Sequence, residues 1–197
     1  MRVNTILHAV HKKLVLLRGI LRRNDSKVSP LLKIGGKNMS RLEVKQDKLM
    51  TPEDWDQIEY MHYSSNNWGE KDLAMKSIVF TVEKIRSFSG KSITLTSAAV
   101  VTSGHSPDSQ HYKGFAADFR IKDYSLFEMF LILERFNLRG IGLYPNKGNP
   151  NGPFVHGDTR PIDLYGKGAR WIAIPSTTSS GWEYIALNAE NMLKYVI

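Results

Sequence analysis

His111, Asp118 and His156 are the residues of this sequence best suited to hold a metal ion. Two imidazoles and a carboxylate are a set that zinc accepts when a fourth position is left for water, whose pKa then falls to about 7. Amide hydrolysis is the reaction such a set serves best. Six residues separate His111 from Asp118, which is not the i, i+4 helical pairing of His-Glu-x-x-His sites. The spacing suits one ligand on a loop and the next on the following strand. Alternation from Phe115 to Ile121 predicts that strand, with Ala116, Asp118 and Arg120 on one face and Phe115, Ala117, Phe119 and Ile121 on the other. Phe154, His156 and Asp158 share a face of a second predicted strand. If the two strands are neighbours, His156 and Asp158 look into the same cleft. The second nitrogen of each imidazole needs an acceptor, and Ser109 or a backbone carbonyl would serve. His105 lies in a Gly/Ser/Pro loop and is expected to have no chemical role.

The run Ser109-Gln110-His111-Tyr112-Lys113-Gly114-Phe115-Ala116-Ala117-Asp118, followed by Phe154-Val155-His156-Gly157-Asp158, resembles the zinc D-Ala-D-Ala carboxypeptidase family. That family includes phage L-alanyl-D-glutamate endolysins and shares its fold with the Hedgehog signalling domain. Gly142-Leu143-Tyr144-Pro145-Asn146 and Ala169-Arg170-Trp171 fit its pattern, and the resemblance covers roughly residues 50 to 172. It implies a Zn2+ cofactor on His111, Asp118 and His156, and a peptidoglycan peptide as substrate. Two positions depart from the pattern. Family members carry Ser-Gly-Tyr-Arg, with a substrate-holding Arg, where this chain has Ser97-Ala98-Ala99-Val100. Many also place an acidic general base shortly before the last histidine, where Gly152-Pro153-Phe154-Val155 contains none. Asp158 is the nearest carboxylate and the candidate catalytic base; Asp108 is the next, and an ion pair of Asp158 with Arg160 or Arg170 is the structural alternative.

The charge is unevenly placed. The formal net charge is +8, and residues 1–38 hold nine Lys or Arg against the single acid Asp25. The remainder is formally neutral, with eighteen of each sign. A neutral domain without a basic patch interleaved with aromatics argues against nucleic acid as a partner. With no cysteine, disulfides and thiolate metal sites are excluded.

The elements that position the candidate ligands follow from local signals. Residues 3–21 predict an amphipathic helix, with Val3, Ile6, Leu7, Val10, Leu14, Leu17 and Leu21 on one face. It would lie on an anionic membrane surface or pack as an ordinary helix, and it has neither the length to span a bilayer nor a clear secretory cleavage site. Residues 24–38 look like a linker, so the expected division is an extension over 1–38 and a peptidase-like domain over 39–197. Thr51-Pro52-Glu53-Asp54 opens a helix expected to reach Met61. A second helix is expected over 71–87 and a strand over 92–97. Ser125-Leu126-Phe127-Glu128 is a capping box, and Gly140 is expected to follow the end of its helix. Strands are expected over 140–144 and 154–158 as an antiparallel hairpin, and again over 170–174 and 182–187, with Asn188 capping a last helix.

The expected fold class is α+β, an antiparallel sheet with helices mainly on one face and the metal on the open one. Two functions remain open at this point: a zinc peptidase acting at the cell wall, phage- or bacterium-encoded, and a relative that binds cell wall or a protein partner without cutting it.

Overall fold

The computed structural model describes residues 47–104, 107–145, 152–161, 168–178 and 181–197. The amphipathic stretch 3–21, the linker and His105 lie outside them. Among the described residues no helix is long and apolar enough to cross a membrane.

Six strands among the described residues form one sheet: β1 Ile93–Leu95, β2 Ala116–Ile121, β3 Gly140–Tyr144, β4 Phe154–Asp158, β5 Arg170–Pro175 and β6 Trp182–Ala186, in the spatial order β1-β2-β4-β3-β5-β6. Among the described residues four α-helices accompany them: α1 Pro52–Trp55, α2 Lys76–Ser89, α3 Leu126–Arg135 and α4 Ala189–Tyr195. The class is α+β, as the sequence implies. The sheet is mixed, however, rather than wholly antiparallel, because β3 and β5 run parallel. Two reversals produce this. Strand β4 turns back on β3, and β5 turns back again but pairs with the far edge of β3 instead of with β4.

The register decides what shares a face. Ala116, Asp158 and Gly140 lie in one row across β2, β4 and β3, and Asp118, His156 and Gly142 lie in the next functional row. Ala117, Gly157 and Ile141 point the other way, as do Phe119, Val155 and Leu143. That second face is core: Phe119, Val155, Ile141 and Leu143 are all fully buried. Helix α3 packs there, with Leu133 and Leu138 lying over Gly157. Its capping box is complete, Ser125 Oγ accepting from the Glu128 N–H and Glu128 returning a bond to the Ser125 N–H.

Three local expectations change. Helix α1 stops at Trp55 instead of Met61, because the Glu83 carboxylate accepts from the backbone N–H groups of Glu59, Tyr60 and Met61 at 2.9–3.3 Å, in place of helical carbonyls. Helix α2 begins at Lys76, not Lys71. The N–H of Met75 bonds the Gly114 carbonyl and that of Lys76 bonds the Lys48 carbonyl, so only a 3-10 turn, Lys71–Leu73, precedes it. The left-handed residue after α3 is Asn137, at φ 56°; Gly140 belongs to β3 and has a different task.

Candidate metal centre

The loop after β1 carries the first candidate ligand. His111 is 2% exposed, and its Nδ1–H donates to the carbonyl of Ala99 at 2.7 Å. The second-nitrogen acceptor is thus a backbone carbonyl, while Ser109 Oγ caps the His111 N–H at 3.3 Å. Gly114 makes this loop possible. It sits at φ +73°, and a Cβ there would lie 2.0 Å from the Leu73 carbonyl oxygen, so the glycine of His-x-x-Gly is required by backbone contact with the turn before α2.

Asp118 and His156 face each other across the β2–β4 ladder. Asp118 Oδ1 lies 2.9 Å from His156 Nδ1 and 3.3 Å from His111 Nε2, and the two nitrogens are 3.1 Å apart. All three residues are buried, and one ligand atom from each lies within 4.8 Å of the others. On the far side of the second imidazole, His156 Nε2 is 3.1 Å from Asp158 Oδ2. Ionised carboxylates only accept, so without a metal both His156 nitrogens can donate, Nδ1 to Asp118 and Nε2 to Asp158. His111 donates from Nδ1 and keeps its Nε2 lone pair. His111 Nε2, His156 Nδ1 and an Asp118 oxygen therefore converge on one small volume, where a cation would take the place of the Nδ1 proton. The donor set of two nitrogens and an oxygen suits a divalent metal such as zinc.

The electrostatics agree. Burial by itself would raise the Asp118 carboxyl, but hydrogen bonds from His111 and His156 outweigh it and hold the group well below the usual carboxylate range. Burial would also favour a neutral His156, yet Asp118 and Asp158 on its two nitrogens push it up to about 9 when no metal competes.

Asp158 has no exposed surface. Its Oδ1 accepts from the N–H groups of Gly140 and Arg160 at 3.0 and 3.2 Å and from Arg160 Nε at 2.8 Å; its Oδ2 accepts from Arg160 Nη2 at 2.5 Å and meets His156. Burial raises this carboxyl, and the Arg160 and His156 bonds more than reverse it, to well below the usual range. Of the two arginines considered from sequence, Arg160 is the partner. Arg170 instead pairs with Glu134 at 2.6 Å. Asp108 is exposed on the loop.

Three contributors have tasks that the sequence did not assign. Gly142 leaves space for the Trp171 indole, which a Cβ would approach to 2.4 Å, and that indole lies 5.1 Å from the His156 ring. Tyr144, on the same face, stacks on Phe154 at 4.3 Å; burial, then the nearby Asp118, raise its hydroxyl far above the ordinary value, so it stays protonated. Ala99 contributes only a carbonyl. One signal was available for the first: glycine at alternate positions of a predicted strand, 140 and 142, strips one face bare. Val100, aligned with the family arginine, is fully buried and hydrogen bonds Trp68 and Glu70 through its backbone. The arginine position is core in this chain.

Residues 70–165 match the family described as peptidoglycan L,D-endopeptidase MepK. The matched span includes His111, Asp118, His156, Asp158 and Arg160, so the group that could hold a metal falls inside it. The family belongs with the zinc peptidases related to D-Ala-D-Ala carboxypeptidase. No curated protein and no solved structure matches the chain.

Proposed function

We propose that the protein is a zinc-dependent endopeptidase that cuts an L,D bond in peptidoglycan stem peptides. The observation that carries this reading is the convergence of two imidazole nitrogens and a carboxylate oxygen within 4.8 Å of one another, inside a span that matches a peptidase family. The bond is taken from the description of the matched family.

His111, Asp118 and His156 would hold the ion, which when bound supplies a Lewis acid and a nucleophilic water at neutral pH. The chain's own residues do the rest. Ala99 and Asp158 hold the two imidazoles in the tautomers that present Nε2 and Nδ1. With its oxygens engaged by Arg160, Gly140 and His156, Asp158 is a positioning residue in this reading, and the general-base role passes to a group with free lone pairs, of which Asp108 on the loop before His111 is the first to test. Trp171 and the protonated Tyr144 wall the cleft on the β5 side and limit water there. Helix α3 packs on the opposite face of β3 and β4, and substrate would approach from this one. Deletion of residues 1–38, the basic extension expected from the sequence, should leave residues 39–197 folded.

The test is digestion of purified peptidoglycan, with products identified by mass. Fragments whose new termini match an L,D cut support the proposal. Fragments from another bond retain the peptidase and refute the bond. A protein that binds peptidoglycan and releases nothing is the non-catalytic binding relative.

A further inference from the structure

Asp158 Oδ2 faces His156 Nε2; one feature makes room for that oxygen and another holds it in place. The room comes from Gly140, opposite Asp158 on β3, where a Cβ would lie 1.9 Å from Oδ2 and 2.8 Å from Arg160 Nη2. The other is the Arg160 guanidinium, which grips both oxygens, Nε on Oδ1 at 2.8 Å and Nη2 on Oδ2 at 2.5 Å. A bidentate fork fixes the plane of a carboxylate as well as its position. Here the plane is the one in which Oδ2 meets His156 Nε2 at 3.1 Å. The Arg160 N–H to Oδ1 adds a further bond, so Thr159-Arg160 closes as a turn on the carboxylate two residues back.

We propose that Arg160 is a positioning residue for the metal centre: through Asp158 it orients His156 so that Nδ1 faces the ion. This rests on the metal-centre reading above and assigns a task to a residue beyond the ligand set. The chain of contacts runs Arg160, Asp158, His156, Asp118, and every link except Arg160 has no more than 12% of its side chain exposed. Without the fork the Asp158 side chain can rotate within the space left by Gly140, and the His156 ring loses its fixed acceptor. Partners of this kind typically change metal affinity by about 10–100-fold. Lysine would keep the charge but not the planar two-point grip.

The experiment compares zinc dissociation constants, by chelator competition, for the full chain and for Arg160→Gln and Arg160→Lys, with far-UV circular dichroism on each and the His156 Nε2–H signal followed by proton–nitrogen NMR in the zinc-loaded forms. The expected result is binding about 10–100-fold weaker in Arg160→Gln, a smaller loss in Arg160→Lys, and faster exchange or loss of the Nε2–H signal, with the fold retained. Equal constants and an unchanged Nε2–H signal in all three overturn the proposal, as does a wild-type chain that takes up no zinc. If Arg160→Gln is unfolded, Arg160→Lys decides: wild-type affinity and an unchanged signal there count against the fork. Normal zinc binding without peptidoglycan cleavage would refute the peptidase and leave the relay standing; cleavage with zinc affinity indifferent to Arg160 would do the reverse.

Discussion

Gly140 and Asp158 face each other across β3 and β4 so closely that a Cβ on the glycine would sit 1.9 Å from the carboxylate. Its φ is not in the left-handed region, so the requirement is for space alone. We expect Gly140→Ala to displace the carboxylate, cost about 1–3 kcal/mol of stability as overpacking does, and weaken zinc binding together with it. Thermal melts with and without zinc check this, and a variant as stable as wild type in both states would show that the carboxylate can move without consequence.

Val100 stands where the family pattern places a substrate-holding arginine, and it is fully buried. Restoring the arginine should therefore damage the protein. An unpaired buried charge costs several kcal/mol, so Val100→Arg is expected to be insoluble or strongly destabilised. Denaturant unfolding beside the wild type measures it. A stable Val100→Arg with enhanced hydrolysis would mean that this position opens to the cleft.

Much of the site was legible because strand alternation is a two-residue rule. Once Phe115–Ile121 and Phe154–Asp158 were read as strands, the common face of Asp118, His156 and Asp158 followed, and the ladder pairs Asp118 with His156 directly. The role of Asp158 was not legible. Shared face and short spacing described it equally well as a base and as a structural partner, and its ion pair with Arg160 depends on a turn that periodicity does not encode. The early end of α1 was hidden for a similar reason. The competing acceptor, Glu83, lies on α2, 22 residues beyond Met61. The parallel β3–β5 pair depended on which edge of β3 the returning chain chose, and local pattern carries no information about that.

Asp54 offers a pH test away from the metal. Its carboxylate closes the α1 capping box with Thr51 and meets Lys76 Nζ at 2.6 Å. Burial raises its pKa, but the Lys76 and Thr51 bonds outweigh this and lower it below 3.8. A carboxyl depressed on folding stabilises the protein fully above its unfolded pKa, and the contribution is lost as pH falls through the folded value. Asp54→Asn should thus cost about 1 kcal/mol at neutral pH, and the difference from wild type should shrink as pH falls below 3.8. Urea midpoints at pH 7 and pH 3 read the effect; a gap that widens in acid would contradict the sign.

The measurement closest to the central claim is peptidoglycan release by the full chain as isolated, after chelation, and after zinc is returned, with His111→Ala alongside and bound zinc counted in each sample. The metallopeptidase reading predicts about one zinc per chain, release abolished by the chelator and recovered with zinc, and neither zinc nor release in His111→Ala. Undiminished release from the zinc-free protein, or no release from a wild-type chain shown to hold its zinc, would contradict it.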